Sequence, residues 1–170
     1  LIVDTVAAAG TVDYRMDEWG IDITVGASQK GLMMPPGIGI VAAGEKALSA
    51  TKDSTMPRLY WDWKTRLEAE HYRKFCGTAP QLMVFGMREA LNMLFEEGLE
   101  NVFERHRVLA GATQAAVEVW GQAGTLSLNA VEPKERSNGV TTILTSEGID
   151  ADQFRNICRD EMMVGLGGGL

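Results

Sequence analysis

The chain has 170 residues, 45 % of them hydrophobic, enough for one ordinary domain or parts of two and too apolar for disorder. Sixteen basic against 23 acidic residues give a formal charge of −7, which argues against nucleic acid as a main partner, because phosphate binding needs clustered Lys and Arg. No apolar run approaches the ~20 residues of a membrane span, and the opening Leu1-Ile2-Val3 is too short for a signal peptide, so the composition is compatible with a cytoplasmic enzyme.

Leu1-Ile2-Val3-Asp4 reads as a short strand ending on a carboxylate. Ala7-Ala8-Ala9-Gly10 is a small-residue loop, where bulk would obstruct a close approach. Asp17 to Gly20 reads as a helical turn ended by glycine. Ile21 to Val25 is the next strand, followed by a turn through Gly26-Ala27-Ser28 into Lys30. Pro35-Pro36-Gly37 excludes a helix, and residues 37–42 form a third strand of open direction. Glu45 to Ser49 starts a helix, and the aromatic-rich Arg58 to Trp63 reads as a packed loop and short helix.

Pro80 to Glu97 is helical, with Leu82, Phe85, Leu91 and Leu94 broadly on one face. Gly98 interrupts, and a second helix runs from Leu99 to Trp120, with Val102, Leu109, Ala116 and Val119 at helical spacing. Strands follow at Thr125–Leu128 and Val140–Leu144, separated by a polar turn region. Asp150 caps a helix with Phe154, Ile157 and Cys158 inward, and Met163 to Leu166 reads as a last strand. The alternation predicts an α/β fold.

Lys30 and Asp4 carry the chemical signal. Taken singly, Lys30 reads as a solvated lysine in a surface turn and Asp4 as a turn or cap aspartate; taken as a pair they suggest more, since a lysine at the end of a buried strand is costly to desolvate, and burial frees its amine as a nucleophile toward aldehydes. That chemistry is a Schiff base, the linkage pyridoxal phosphate requires, and the same cofactor needs an acid partner for its ring nitrogen. In open α/β sheets ligands sit beyond the carboxyl ends of strands, where both residues fall. Cys76 and Cys158 are too few for a disulfide scaffold, no Cys/His spacing suggests zinc, and both read as reduced thiols; no metal is expected. His71 and His106 have no surroundings that suggest catalysis, and His106 reads as an exposed surface residue.

The order and spacing of Asp4-Thr5-Val6, Trp19-Gly20-Ile21-Asp22, Ser28-Gln29-Lys30-Gly31-Leu32 and Pro35-Pro36-Gly37 resemble the class V aminotransferases of fold type I, nearest their serine–glyoxylate and alanine–glyoxylate members. The resemblance implies that Lys30 binds pyridoxal 5′-phosphate covalently, that Asp4 pairs with the ring nitrogen and that Gln29 lies near the phenolic oxygen. It implies a homodimer with shared active sites, in which Thr78 touches the phosphate of the partner subunit's cofactor. Phe75 stands where relatives have a tyrosine and cannot supply that hydroxyl. It further implies that residues 1–97 are the C-terminal part of a large cofactor-binding domain with a mainly parallel sheet. Residues 98–170 would be a truncated small α/β domain. The rest of the family pattern falls outside these residues, so the chain reads as a fragment.

The implied reaction moves an amino group from serine or alanine to glyoxylate, with serine favoured, and the fragment alone is expected to be inactive. A cysteine desulfurase or other lyase of the same fold is the nearest alternative. That group typically has histidine where Gln29 stands and a mobile-loop cysteine, for which Cys158 lies in an unsuitable helical pattern. A non-catalytic dimerisation module is the third reading. Gly26 to Lys30 lacks the second glycine of a nucleophile elbow, the Walker pattern is missing, and the terminal glycine run reads as a turn.

Overall fold

A computed structural model describes residues 1–68, 70 and 74–168; His71 lies outside the described residues. The chain divides into two units, Leu1–Phe103 and Glu104–Leu170.

The first unit is built on a three-stranded sheet of order β1-β2-β3. Strand β1 (Ile2–Asp4) runs parallel to β2 (Ile23–Ala27), with Asp4 opposite Val25. Strand β3 (Gly39–Ala43) runs antiparallel to β2, with Val25 opposite Val41. The sheet is therefore mixed, and the direction of β3, open in the sequence, is settled by the return loop of residues 28–38. A parallel pair needs a crossover, supplied here by residues 5–22.

Within that crossover, Ile21 N–H donates to Met16 O (3.0 Å) and Gly20 N–H to Asp17 O (3.1 Å), with Gly20 at φ +64°. This pattern closes the expected helical turn. It also explains why β2 starts two residues later than the sequence suggests, since the Ile21 amide is already committed. Tyr14 packs edge-on against Trp19 at 5.4 Å, and its hydroxyl lies 2.6 Å from Thr24 Oγ1, tying the crossover to β2.

Helix α1 (Glu45–Ala50) and α2 (Trp63–Glu68) are short. The aromatic loop before α2 is not packed as expected: Leu59 and Trp61 are exposed. Arginines organise it instead. Arg66 lies 4.6 Å from the Tyr60 ring centre and donates through Nε to Tyr60 O (3.1 Å), while Arg58 donates to Ser54 Oγ (2.7 Å).

Helices α3 (Gln81–Glu97) and α4 (Leu99–Gly121) are separated by Gly98 alone. Its φ of +86° is a conformation that side chains disfavour, so the ladder stops and restarts there. The expected face of α3 is only half buried. Leu94 and Ala90 are buried, but Leu82 and Phe85 are exposed, because no described element covers the first turns. On α4 the buried positions are Val102, Ala110 and Val117, whereas Leu109 and Val119 face out. Spacings of eight and seven residues select a narrower stripe than the predicted one. His106 is half-buried, not exposed as expected.

The second unit pairs β4 (Leu126–Leu128) with β5 (Ile143–Thr145) in antiparallel register. Arg136 crosses to Glu118 at 2.6 Å and donates to Ala130 O, fixing the connection between these strands. Helix α5 (Ala151–Met162) starts as predicted: Asp150 Oδ1 accepts from Asp152 N–H (2.9 Å) and Gln153 N–H (3.1 Å). Cys158 is buried on its inner face and Phe154 half-buried, but Ile157 is 39 % exposed. The predicted strand at Met163–Leu166 does not form. Met163 adopts a left-handed conformation, and the amides of Met163 and Val164 both reach Cys158 O, so this segment terminates α5.

Candidate active site

Asp4 ends β1, and its Oδ1 accepts the Val6 N–H at 2.7 Å, a local bond that orients the carboxylate. Its other oxygen takes no hydrogen bond from the described residues. Thr5 behind it is 2 % exposed and donates to Val25 O twice, through its amide (2.7 Å) and its hydroxyl (3.0 Å). The base of the Asp4 loop is thus tied to the neighbouring strand. The loop then folds on itself: Ala9 N–H reaches Thr5 O (2.8 Å), and the buried Thr11 hydroxyl reaches Ala7 O and Ala8 O.

Beyond the end of β2, Ser28 is fully buried. Its hydroxyl donates to Pro35 O (2.7 Å) and accepts the Ile38 N–H (3.2 Å), closing the loop that carries Gln29 and Lys30. Met33 N–H caps the turn on Lys30 O at 2.9 Å. Lys30 itself is exposed, and so is Gln29. This corrects the expectation of a desolvated lysine. Strand β2 runs to Ala27, two residues past the expected end at Val25, because Gly26 and Ala27 pair with β3, and none of the described residues roofs the turn. The Lys30 ammonium makes no ion pair within the described residues.

The Asp4 and Lys30 loops meet at two glycines. A methyl group built on Gly31 would lie 2.3 Å from Ala9 O and 2.8 Å from Thr11 Cγ2; one built on Gly10 would lie 2.7 Å from Gly31 O. The close approach for which the sequence leaves room at residues 7–10 is made by the Lys30 turn. The sequence marked Gly10 only as part of a small-residue loop and Ser28 and Gly31 only within a motif; that Gly10 meets Gly31 and that Ser28 closes the turn were not read from it.

Thr78 and Phe75, both exposed, line a separate open depression of about 840 Å³, with Gly37–Ile40, Tyr60 and the Val84–Phe95 face of α3. Neither Asp4, Gln29 nor Lys30 lines it. Asp4 thus stands at the carboxyl end of β1 and Gln29 and Lys30 just past that of the adjacent β2, while Thr78 lines a depression that none of the three lines.

The aminotransferase class V family model matches residues 1–169. The chain belongs to the class V aminotransferases. Among its relatives, the serine–glyoxylate aminotransferase of Methylorubrum extorquens is 39 % identical over the whole chain. The L-aspartate–glyoxylate aminotransferase of Paracoccus denitrificans is 38 % identical. In each case the chain spans 42 % of the relative's length. The crystal structure of the alanine–glyoxylate aminotransferase of Nostoc sp. superposes on the entire chain with a TM-score of 0.84 at 30 % identity; the chain covers 45 % of it.

The family's cofactor is pyridoxal 5′-phosphate, and the donor set suits it. A carboxylate at the end of β1 and a primary amine past the end of the neighbouring parallel β2, neither in an ion pair among the described residues, are the groups it needs. No helix of the described residues is long and apolar enough to cross a membrane.

Proposed function

We propose that the whole protein is a cytoplasmic pyridoxal-phosphate enzyme that transfers the amino group of serine, or of alanine, to glyoxylate. The observation that carries this reading is Asp4 at the end of β1, opposite Val25 in parallel register, with Lys30 in the turn past the end of the neighbouring β2.

When bound, pyridoxal phosphate supplies an electron sink for charge released at the substrate α-carbon. Lys30 Nζ is the covalent anchor, and its exposed position lets a substrate amine reach it. Once free, the same amine would take the proton from the substrate α-carbon as general base and, as general acid, deliver it to the cofactor carbon C4′ rather than back to the α-carbon. Asp4 keeps the ring nitrogen protonated, and Gln29 donates toward the ring's phenolic oxygen. The relatives' names favour serine and include aspartate. Residues 1–97 belong to the large domain and 98–170 to the small one.

The protein acts as a homodimer in this reading, with Thr78 serving the phosphate of the partner subunit's cofactor. Supporting this, Thr78 lies apart from Asp4 and Lys30, on an apolar depression. The adjoining exposed Leu82, Phe85 and Phe95 of α3 are the kind of surface a subunit contact covers.

The test is made on the full-length protein. Adding pyridoxal phosphate is expected to give a visible absorbance band that Lys30→Ala abolishes, and serine with glyoxylate is expected to yield hydroxypyruvate. A Lys30→Ala protein that keeps the band unchanged refutes the assignment of Lys30; sulfide release from cysteine without hydroxypyruvate refutes the reaction.

A further inference from the structure

We propose that Gly10 and Ser28 are positioning residues, which hold the Lys30 amine at a set place relative to Asp4 by gripping the Lys30 turn from its two sides. This rests on the role of Lys30 given above and adds to it the parts of the chain that aim the amine.

The first grip is the backbone contact between the two loops. Gly10 sits at φ +80°, and any β-carbon there would lie 2.7 Å from Gly31 O and 2.9 Å from Gly31 C. Ordinary contact begins near 3.4 Å, so a methyl group would drive the loops apart by several tenths of an ångström. The strain falls on backbone that cannot rotate away, immediately beside Lys30. The Asp4 loop cannot yield instead, because Thr5 and Thr11 hold its base and interior with buried hydroxyls.

The second grip is Ser28. Its hydroxyl spans residues 35 and 38, so the loop leaving β2 and the loop entering β3 are closed around the Lys30 turn. The Ser28 amide and Ile38 carbonyl (3.0 Å) reinforce this closure, and Met34 N–H reaches Ser28 O (3.0 Å). A flexible lysine side chain on a turn fixed in this way has its backbone origin determined, which leaves only its own rotamers to be ordered by the cofactor. Displacements approaching 1 Å at such a position cost up to about 10²-fold in rate.

The experiment compares Gly10→Ala, Ser28→Ala and Gly44→Ala in the full-length protein loaded with pyridoxal phosphate. Gly44 is the control, since a β-carbon there meets nothing closer than Asp22 O at 3.6 Å. Three readouts are taken: the pH at which the visible band titrates, kcat per bound cofactor, and KM for serine. Gly10→Ala is expected to lower kcat about tenfold or more and to shift the titration of the band, with KM changed less than about twofold. Ser28→Ala is expected to move both in the same direction by less, and Gly44→Ala to match the unmodified protein.

Variants that lose only thermal stability, with band titration and kcat per bound cofactor unchanged, overturn the proposal. If Gly10→Ala does not fold, Ser28→Ala, which leaves the backbone free of new atoms, decides by the same readouts. Loss of the band in Lys30→Ala together with unchanged behaviour in the Gly10 and Ser28 variants refutes the positioning role alone. Retention of the band in Lys30→Ala removes the reading on which that role rests.

Discussion

Two buried hydroxyls, at Thr5 and Ser28, flank the candidate site, and the structure assigns them different energetic weight. Thr5→Val keeps the side chain's shape and deletes its Oγ1–Val25 O bond. Val25 O is not orphaned, because the Thr5 amide still donates to it at 2.7 Å. The cost is then the net value of one hydrogen bond, about 0.5–1.5 kcal/mol, partly offset by the added buried methyl. Ser28→Ala instead strips Pro35 O of its donor and Ile38 N–H of its acceptor. A bare buried polar group costs about 1–3 kcal/mol. Pro35 is exposed and Ile38 half-buried, so water reaches these groups and their sum falls near the low end, about 2 kcal/mol. Equilibrium urea unfolding of the full-length protein, followed by tryptophan fluorescence, gives both values. Thr5→Val costing as much as Ser28→Ala would refute the argument, since it would mean that a second donor on Val25 O does not protect it.

Two further outcomes concern other parts of the chain. Asp150→Ala removes the cap on two amides of α5 and is expected to cost about 1 kcal/mol and to speed hydrogen exchange in its first turn; unchanged exchange at Asp152 and Gln153 would contradict the cap. The carboxyl of Asp62 is held below its ordinary 3.8, chiefly by the Thr65 hydroxyl at 2.6 Å and further by the Arg58 charge. A lowered folded-state value means stabilisation that is complete above about pH 4 and fades as pH falls through that lowered value. Asp62→Asn is therefore expected to be less stable than the unmodified protein at pH 7 and to approach it at pH 3, as measured by urea midpoints; a gap independent of pH would show that the charge is irrelevant.

Local signals in the chain determined a good deal. The breaks at Gly20 and Gly98 and the cap at Asp150 are decided within a few residues, so the turn, the helices on either side of Gly98 and the start of α5 follow directly from residue type. The same holds for Asp4 at the end of β1, because an apolar run and its termination are local patterns; the end of β2 was not legible, since pairing with β3 carries it past Val25 to Ala27. Which helix face is buried was less legible. Periodicity marks an apolar stripe, but Leu82 and Phe85 lie on it without a described neighbour to cover them, whereas Leu94 has one.

Tertiary structure alone decided the rest. The antiparallel course of β3 depends on how Ser28 closes a loop onto residues 35 and 38. The exposure of Lys30 depends on what stands over its turn, which no property of the lysine encodes. The contact of Gly10 with Gly31 joins two segments remote in sequence, and a missing side chain announces nothing about which backbone will occupy the space it leaves. Residue type sets what each position can do locally; only the folded arrangement of distant segments sets which of those capacities are brought together.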